Sequence, residues 1–235
     1  MKNREIKITL YALMSSLFLA ALDQTIIATS LPTIVSDLGS AGKLSWVVSS
    51  YLIASTIVTP LYGKLGDLYG RKKMIITAVV IFLIGSILSG SAKTITTLII
   101  CRAIQGIGAG GLFPIIIAII SDIIPLSQRA KYQGLFGAVF GLSSILGPLL
   151  GGFLTENLTW RSIFYINIPI GLASIYMLSK NLKGKEIKRK HRVDYIGALL
   201  LSTIITSILI TTILGGKIYS WTSLNILFLF ILAII

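Results

Sequence analysis

Long apolar runs separated by short polar stretches dominate the chain. The run MIITAVVIFLIGSILSG at 74–90 shows no alternation of apolar and polar positions. Strands of a membrane barrel would alternate and span in about 10 residues. The pattern therefore predicts helices, each needing about 20 apolar residues to cross the hydrocarbon of a bilayer. Eight such runs are predicted, over 8–30, 44–62, 74–92, 95–121, 133–154, 162–180, 194–214 and 221–235. The first resembles a signal peptide where LAA precedes Asp23, but its apolar pattern continues to Leu31 and Pro32. The eighth stops at Ile235, short for a span, so the chain is expected to break off within a helix.

Composition agrees with this pattern. Hydrophobic residues make up 54% of the 235 and charged residues only 12%, against about 25% charged in soluble domains. A disordered chain, a disulfide scaffold and an ordinary soluble enzyme are all excluded on that balance. Cys101 is the single cysteine. The net charge of +13 raises the possibility of nucleic-acid binding, and the placement of the charges answers it. Lys2, Arg4, Lys7, Lys64, Arg71, Lys72, Lys73, Arg129, Lys131 and the basic stretch 180–192 fall on one side of the predicted membrane. Only Lys43, Lys93, Arg161 and Lys217 fall on the other. The positive-inside rule then places the N-terminus in the cytoplasm. The run KGKEIKRKHR at 183–192 reads as a cytoplasmic linker beside anionic headgroups, not a nucleic-acid site.

Ionisable groups within spans are costly and mark sites. Asp23 and Arg102 lie inside spans one and four, at about 22 Å and 20 Å from the cytoplasmic edge by helical rise. The two are expected to face one cavity and influence each other's protonation, with a static buried ion pair as the alternative. At the predicted cytoplasmic face, Asp67, Arg71 and Asp122 form a second set, and Gly63, Gly66 and Gly70 in GKLGDLYGRKK allow a tight turn. The fifth span, GLFGAVFGLSSILGPLLGG, carries Gly134, Gly137, Gly141, Ser143, Gly147, Pro148, Gly151 and Gly152. Those small residues predict close helix packing, and Pro148 removes a helix hydrogen bond.

At these residues the chain resembles the major facilitator superfamily, and more narrowly its fourteen-span drug:proton antiporters. GKLGDLYGRKK is similar to the signature loop between spans two and three. LIICRAIQGIGAGG at 98–111 is similar to the span-four motif through Arg102, Gln105, Gly106 and Gly108. The span-five segment is similar to the antiporter motif through Gly134, Gly147, Pro148, Gly151 and Gly152. LDQTIIATSLP at 22–32 and WRSIFYINIPIG at 160–171 are similar to the motifs of spans one and six. Ala28, Ser143 and Ser162 depart from the commoner residues there.

The resemblance implies an all-α transmembrane fold: a six-span N-terminal bundle over 1–181, a basic linker over 182–193, and two inter-bundle helices over 194–235, the second incomplete. A missing C-terminal bundle is implied as partner. It implies proton-coupled export of lipophilic or cationic drugs across the plasma membrane by alternating access. Asp23, Arg102 and Gln105 would couple protons to substrate. Gly63, Asp67, Gly70, Arg71 and Asp122 would latch the cytoplasmic gate, and the span-five glycines with Pro148 would shape the hinge. Two other readings remain open at this stage: an antiporter for a specific metabolite, and a non-transporting half-transporter or truncated module. No enzyme, cofactor or metal site is expected. His191 is the single histidine and lies in the linker, and no Cys/His cluster, phosphate-binding glycine loop or Ser/His/Asp set is visible.

Overall fold

The computed structural model describes residues 3–39, 41–182, 184, 195–216 and 219–234. The linker predicted over 182–193 lies almost wholly outside them, His191 included. Nearly everything described is helical: α1 (Asn3–Leu38), α2 (Leu44–Tyr69), α3 (Arg71–Gly90), α4 (Ile95–Ile123), α5 (Leu126–Asn157), α6 (Ser162–Tyr165), α7 (Asn167–Asn181), α8 (Tyr195–Leu214) and α9 (Leu224–Ile234). Among the described residues, six helices are long and apolar enough to cross a membrane, with α6 and α7 counted as one. They match the first six predicted spans.

The helices overrun the predicted spans at their polar ends. Helix α1 continues through Pro32 to Leu38, since Ile34 is buried against Val47, Ile95 and Trp160. Helix α2 continues through Gly63 and Gly66 to Tyr69. The expected glycine turn therefore belongs to Gly70 alone, whose φ of 93° is a left-handed conformation that costs glycine little. Helix α9 begins at Leu224, three residues after the predicted start.

Helix α4 is the centre of the bundle, clasped between α2 and α3. Its glycines set the spacing. A methyl on Gly106 would collide with the Tyr51 carbonyl, and one on Gly108 with the Phe82 amide and the Ala78 carbonyl. Helix α1 packs on α5 and α7, completing the ring. On α5 only one face fits the packing expectation. Ser143, Gly147 and Gly151 are buried, the glycines against Thr25, Ile26 and Thr29. Gly134, Gly137, Gly141 and Gly152 have no neighbour within 4 Å of an added methyl, so packing within this chain does not require them.

Two apolar clusters fill the interior. The larger holds Leu13, Leu17, Tyr51, Ile75, Phe82, Leu112 and Ile116, and the smaller holds Ile26, Ile34, Val47, Leu98, Trp160 and Phe164. Buried polar side chains lie where the clusters meet: Asp23 on α1, Ser86 on α3, Arg102 and Gln105 on α4, Asn167 on α7.

Overpacking a filled helix contact costs about 1–3 kcal/mol. Gly108→Ala is accordingly expected to lower the thermal unfolding midpoint of the detergent-solubilised protein by several degrees. Gly137→Ala, which adds a methyl to open space, is expected to leave it unchanged or raise it.

Candidate functional site

The polar layer between the two clusters is a connected network. Arg102 extends from α4 and donates through Nη1 to Asp23 Oδ2 at 2.5 Å and to Gln105 Oε1 at 2.6 Å. Gln105, one helical turn further on, donates through Nε2 to Asp23 Oδ1 at 2.8 Å. Asn167 donates to the same Oδ1 at 3.1 Å. All the partners of the Asp23 carboxylate here present N–H groups, which suits an anion. The guanidinium also lies 4.3 Å from the Tyr51 ring and 5.8 Å from the Phe164 ring, so its charge is shared between a carboxylate and two aromatic faces. The side chains of Asp23 and Arg102 are each 1% exposed.

A cleft of about 310 Å³ opens beside this network, lined by Gln24, Tyr51, Ser55, Thr59, Phe113, Phe140 and Ile205 among others. Asp23 and Arg102 do not line it. The expectation that they face a shared cavity is therefore corrected: the pair is walled off, and Tyr51 belongs both to the wall of the cleft and to the stack on Arg102. No charged side chain among the described residues lines the cleft. Its serine and threonine hydroxyls donate to backbone carbonyls, Ser55 and Thr56 to Leu52, and Thr59 to Ser55 and Gly110, whereas the Tyr51 hydroxyl has no hydrogen-bond partner among the described residues.

The second predicted set also converges. Gly70 turns the chain so that Arg71 opens α3 beside the end of α2. Arg71 then meets Asp67 at 3.3 Å and Asp122 of α4 at 2.7 Å, and donates to the Ala118 carbonyl. Asp67 is 67% exposed and Asp122 36%, while Arg71 is half-buried between them at 26%. Arg129 caps α4 next to Asp122 by donating to the Ser121 and Ile124 carbonyls at 2.6 and 3.1 Å. Gly63 lies on α2 with open space around it. On α5, Gly147 and Gly151 sit against α1 one and two turns beyond Asp23, while Pro148 is exposed.

Sequence reasoning missed three participants. Asn167, Tyr51 and Phe164 read as one polar and two aromatic residues in apolar runs. The signal for Asn167 and Phe164 was the WRSIFYIN segment, quoted as a motif but given no role. A further cluster joins Asp37 of α1 to the same segment, with Trp160 Nε1 at 2.8 Å, Arg161 Nη1 at 3.1 Å, and Arg161 Nη2 donating to the Ala92 carbonyl at 3.2 Å.

Helices of membrane length around a buried ion pair define a multi-pass membrane protein. Residues 13–235 match the Major Facilitator Superfamily, and the chain belongs to that family of transporters. It is 46% identical over 230 residues to Multidrug resistance protein 3 of Bacillus subtilis, covering 98% of this chain and 45% of that protein. It is 40% identical to Multidrug transporter protein MdtP of the same organism, covering 95% and 41%. The chain thus spans less than half the length of these relatives. Among solved structures it is similar to the human organic anion transporter MFSD10 (TM-score 0.70, 14% identity, 94% of this chain and 58% of that one). It is also similar to a D-xylose–proton symporter (TM-score 0.68, 16% identity, 97% and 65%). At such identities the likeness shows the fold.

Removing one partner of a buried ion pair strands the other and costs about 3–5 kcal/mol. Arg102→Met is expected to lower the unfolding midpoint sharply, and Asp23→Asn with Arg102→Met together are expected to recover much of the loss. A double-mutant cycle by thermal unfolding in detergent measures both effects.

Proposed function

We propose that this chain is the N-terminal portion of a proton-coupled antiporter that exports lipophilic or cationic compounds by alternating access. The observation that carries the reading is the wholly buried Asp23–Arg102 pair, separated by Tyr51 from a cleft without charges. A carboxylate held by a movable cation can exchange that cation for a proton. An apolar cleft with neutral hydroxyls suits lipophilic molecules, which are recognised mainly by shape and a few polar anchors. The printed names of the two Bacillus subtilis relatives point the same way.

In this reading Asp23 carries the proton, while Arg102 and Gln105 hold its carboxylate between cycles. Asp67, Arg71 and Asp122 form a latch at the cytoplasmic face, with Gly63 and Gly70 in the segment that carries it. The exposed side of α5, with Gly134, Pro148 and Gly152, faces a second bundle, and Gly147 and Gly151 fix α5 on α1. Residues 1–181 form one bundle, 182–193 a basic cytoplasmic linker, and 194–235 helices between bundles. The N-terminus lies in the cytoplasm and the membrane is the plasma membrane, as the distribution of Lys and Arg supports.

Asp23→Asn in the full-length gene product is expected to abolish export of a lipophilic cation dye driven by an imposed proton gradient, with membrane insertion unchanged. Vesicle transport assays check this, and wild-type export by the variant would refute the proton role.

The latch carries its own expectation. Cysteines placed at the cytoplasmic ends of α2 and α4 are expected to cross-link to different extents with and without substrate. Equal cross-linking in both conditions would make the cluster a static surface feature.

A further inference from the structure

Asn167 is the buried polar side chain at this site that the proposed function leaves without a role. It is fully buried. Its Nδ2 donates to Asp23 Oδ1 at 3.1 Å and to Ser86 Oγ at 2.9 Å. Ser86 in turn donates its hydroxyl to the Phe164 carbonyl at 2.8 Å, so its oxygen is left to accept from Asn167. That relay fixes the amide with its NH₂ toward Asp23. The amide oxygen, Oδ1, is buried with no hydrogen-bond partner. An unsatisfied buried acceptor is unfavourable, and a leucine would fill a similar space without that cost. The position therefore holds an amide for its N–H groups and not for its packing.

The two carboxylate oxygens of Asp23 are unequal. Oδ1 accepts from Gln105 and Asn167, whereas Oδ2 accepts from Arg102. We propose that Asn167 is a positioning residue that holds Asp23 Oδ1 as the fixed acceptor and leaves Oδ2 as the oxygen that takes the proton. The step balances simply. The Arg102 Nη1–H···Oδ2 hydrogen bond breaks, a hydronium ion gives its proton to Oδ2 and leaves as water, and the new O–H bond makes the carboxyl neutral. Arg102 keeps its charge and its bonds to Gln105 Oε1 and the Val47 carbonyl, which it already makes at 2.6 and 3.5 Å. Asn167 stays in place throughout, because its anchor on α3 is independent of Arg102.

The titratable groups facing Asp23 are Arg102 from α4 and the Tyr51 phenol from α2. From the other elements around the site, Ser86 of α3 acts through Asn167, Phe164 of α6 turns its ring to Arg102, and α5 presents Ser143 and Gly147 to Thr25. Asn167 is thus a neutral donor acting on the anionic form of a carboxylate, and removing it disfavours that form.

The inference rests on Asp23 being the proton carrier, and the test separates the two ideas. Full-length protein in membrane vesicles is treated with dicyclohexylcarbodiimide, which modifies protonated carboxyls in apolar surroundings. Labelling of the Asp23 peptide is followed by mass spectrometry across pH, and dye export is measured over the same range. Asn167→Leu is expected to move the labelling midpoint to higher pH by about one unit, a tenfold change in proton affinity. Ser86→Ala, which loosens the anchor without touching Asp23, is expected to move it a smaller distance in the same direction. It also decides the matter if Asn167→Leu does not reach the membrane. A midpoint unchanged in the inserted variants would overturn the inference. A midpoint that moves while the pH profile of export stays fixed would uphold Asn167 as the partner of Asp23 and refute proton coupling through Asp23.

Discussion

Putting a carboxylate and a guanidinium into the middle of an apolar bundle is the constraint around which this structure is arranged. Each charge buried alone is prohibitive, and even a pair recovers its desolvation cost only when the remaining hydrogen-bonding capacity is filled. The bundle fills it from four directions. Helix α4 supplies Arg102 and Gln105, α1 supplies Asp23, α7 supplies Asn167, and α2 supplies the Val47 carbonyl and the face of Tyr51. The polar layer therefore fixes the register of those helices against one another. A slip of one helical turn, about 5.4 Å, would separate every partner from its mate.

The close approach of the helices follows from the same requirement. Side chains as short as Asp and Asn reach across an interface only if the backbones come near. Gly106 and Gly108 bring α2 and α3 against α4, and Gly85 lies on the backbone of Gln105 itself. Gly147 and Gly151 do the same for α5 on α1 just beyond Asp23. Without a hydrophobic driving force between helices in lipid, small residues and interhelical hydrogen bonds are the means of association available. Here both are concentrated around one level of the bundle.

How much of this the sequence disclosed depends on the kind of signal. Six spans were legible because 20-residue apolar runs are long and unmistakable, whereas their polar ends were not. GKLGDLY stays helical because a helix can project into water without losing its backbone bonds. The pairing of Asp23 with Arg102 was legible through depth, since helical rise converts residue number into height. Rotation about the helix axis was not legible, so the pair was expected to face a cavity and instead sits behind Tyr51. Asn167 was hidden for a related reason. An asparagine in an apolar run gives no charge to count, and its significance lies in partners 144 and 81 residues away.

The clusters at Arg71 and at Arg102 differ in a way that bears on how such a bundle moves. Asp67 and Asp122 reach water and Arg71 is half-buried between them; an ion pair in contact with solvent is worth about 0–1 kcal/mol. Their separation costs little, and water replaces each lost contact. Asp23 and Arg102 have no such replacement: at 1% exposure, separation leaves each charge with only neutral partners in a medium of low dielectric constant. Something must neutralise the carboxylate as Arg102 leaves, and a proton is the smallest species able to do so. Within the proposed mechanism, coupling between protonation and helix movement then needs no dedicated transmission device. It follows from the cost of opening the pair with both charges in place, and the solvent-exposed latch is free to follow.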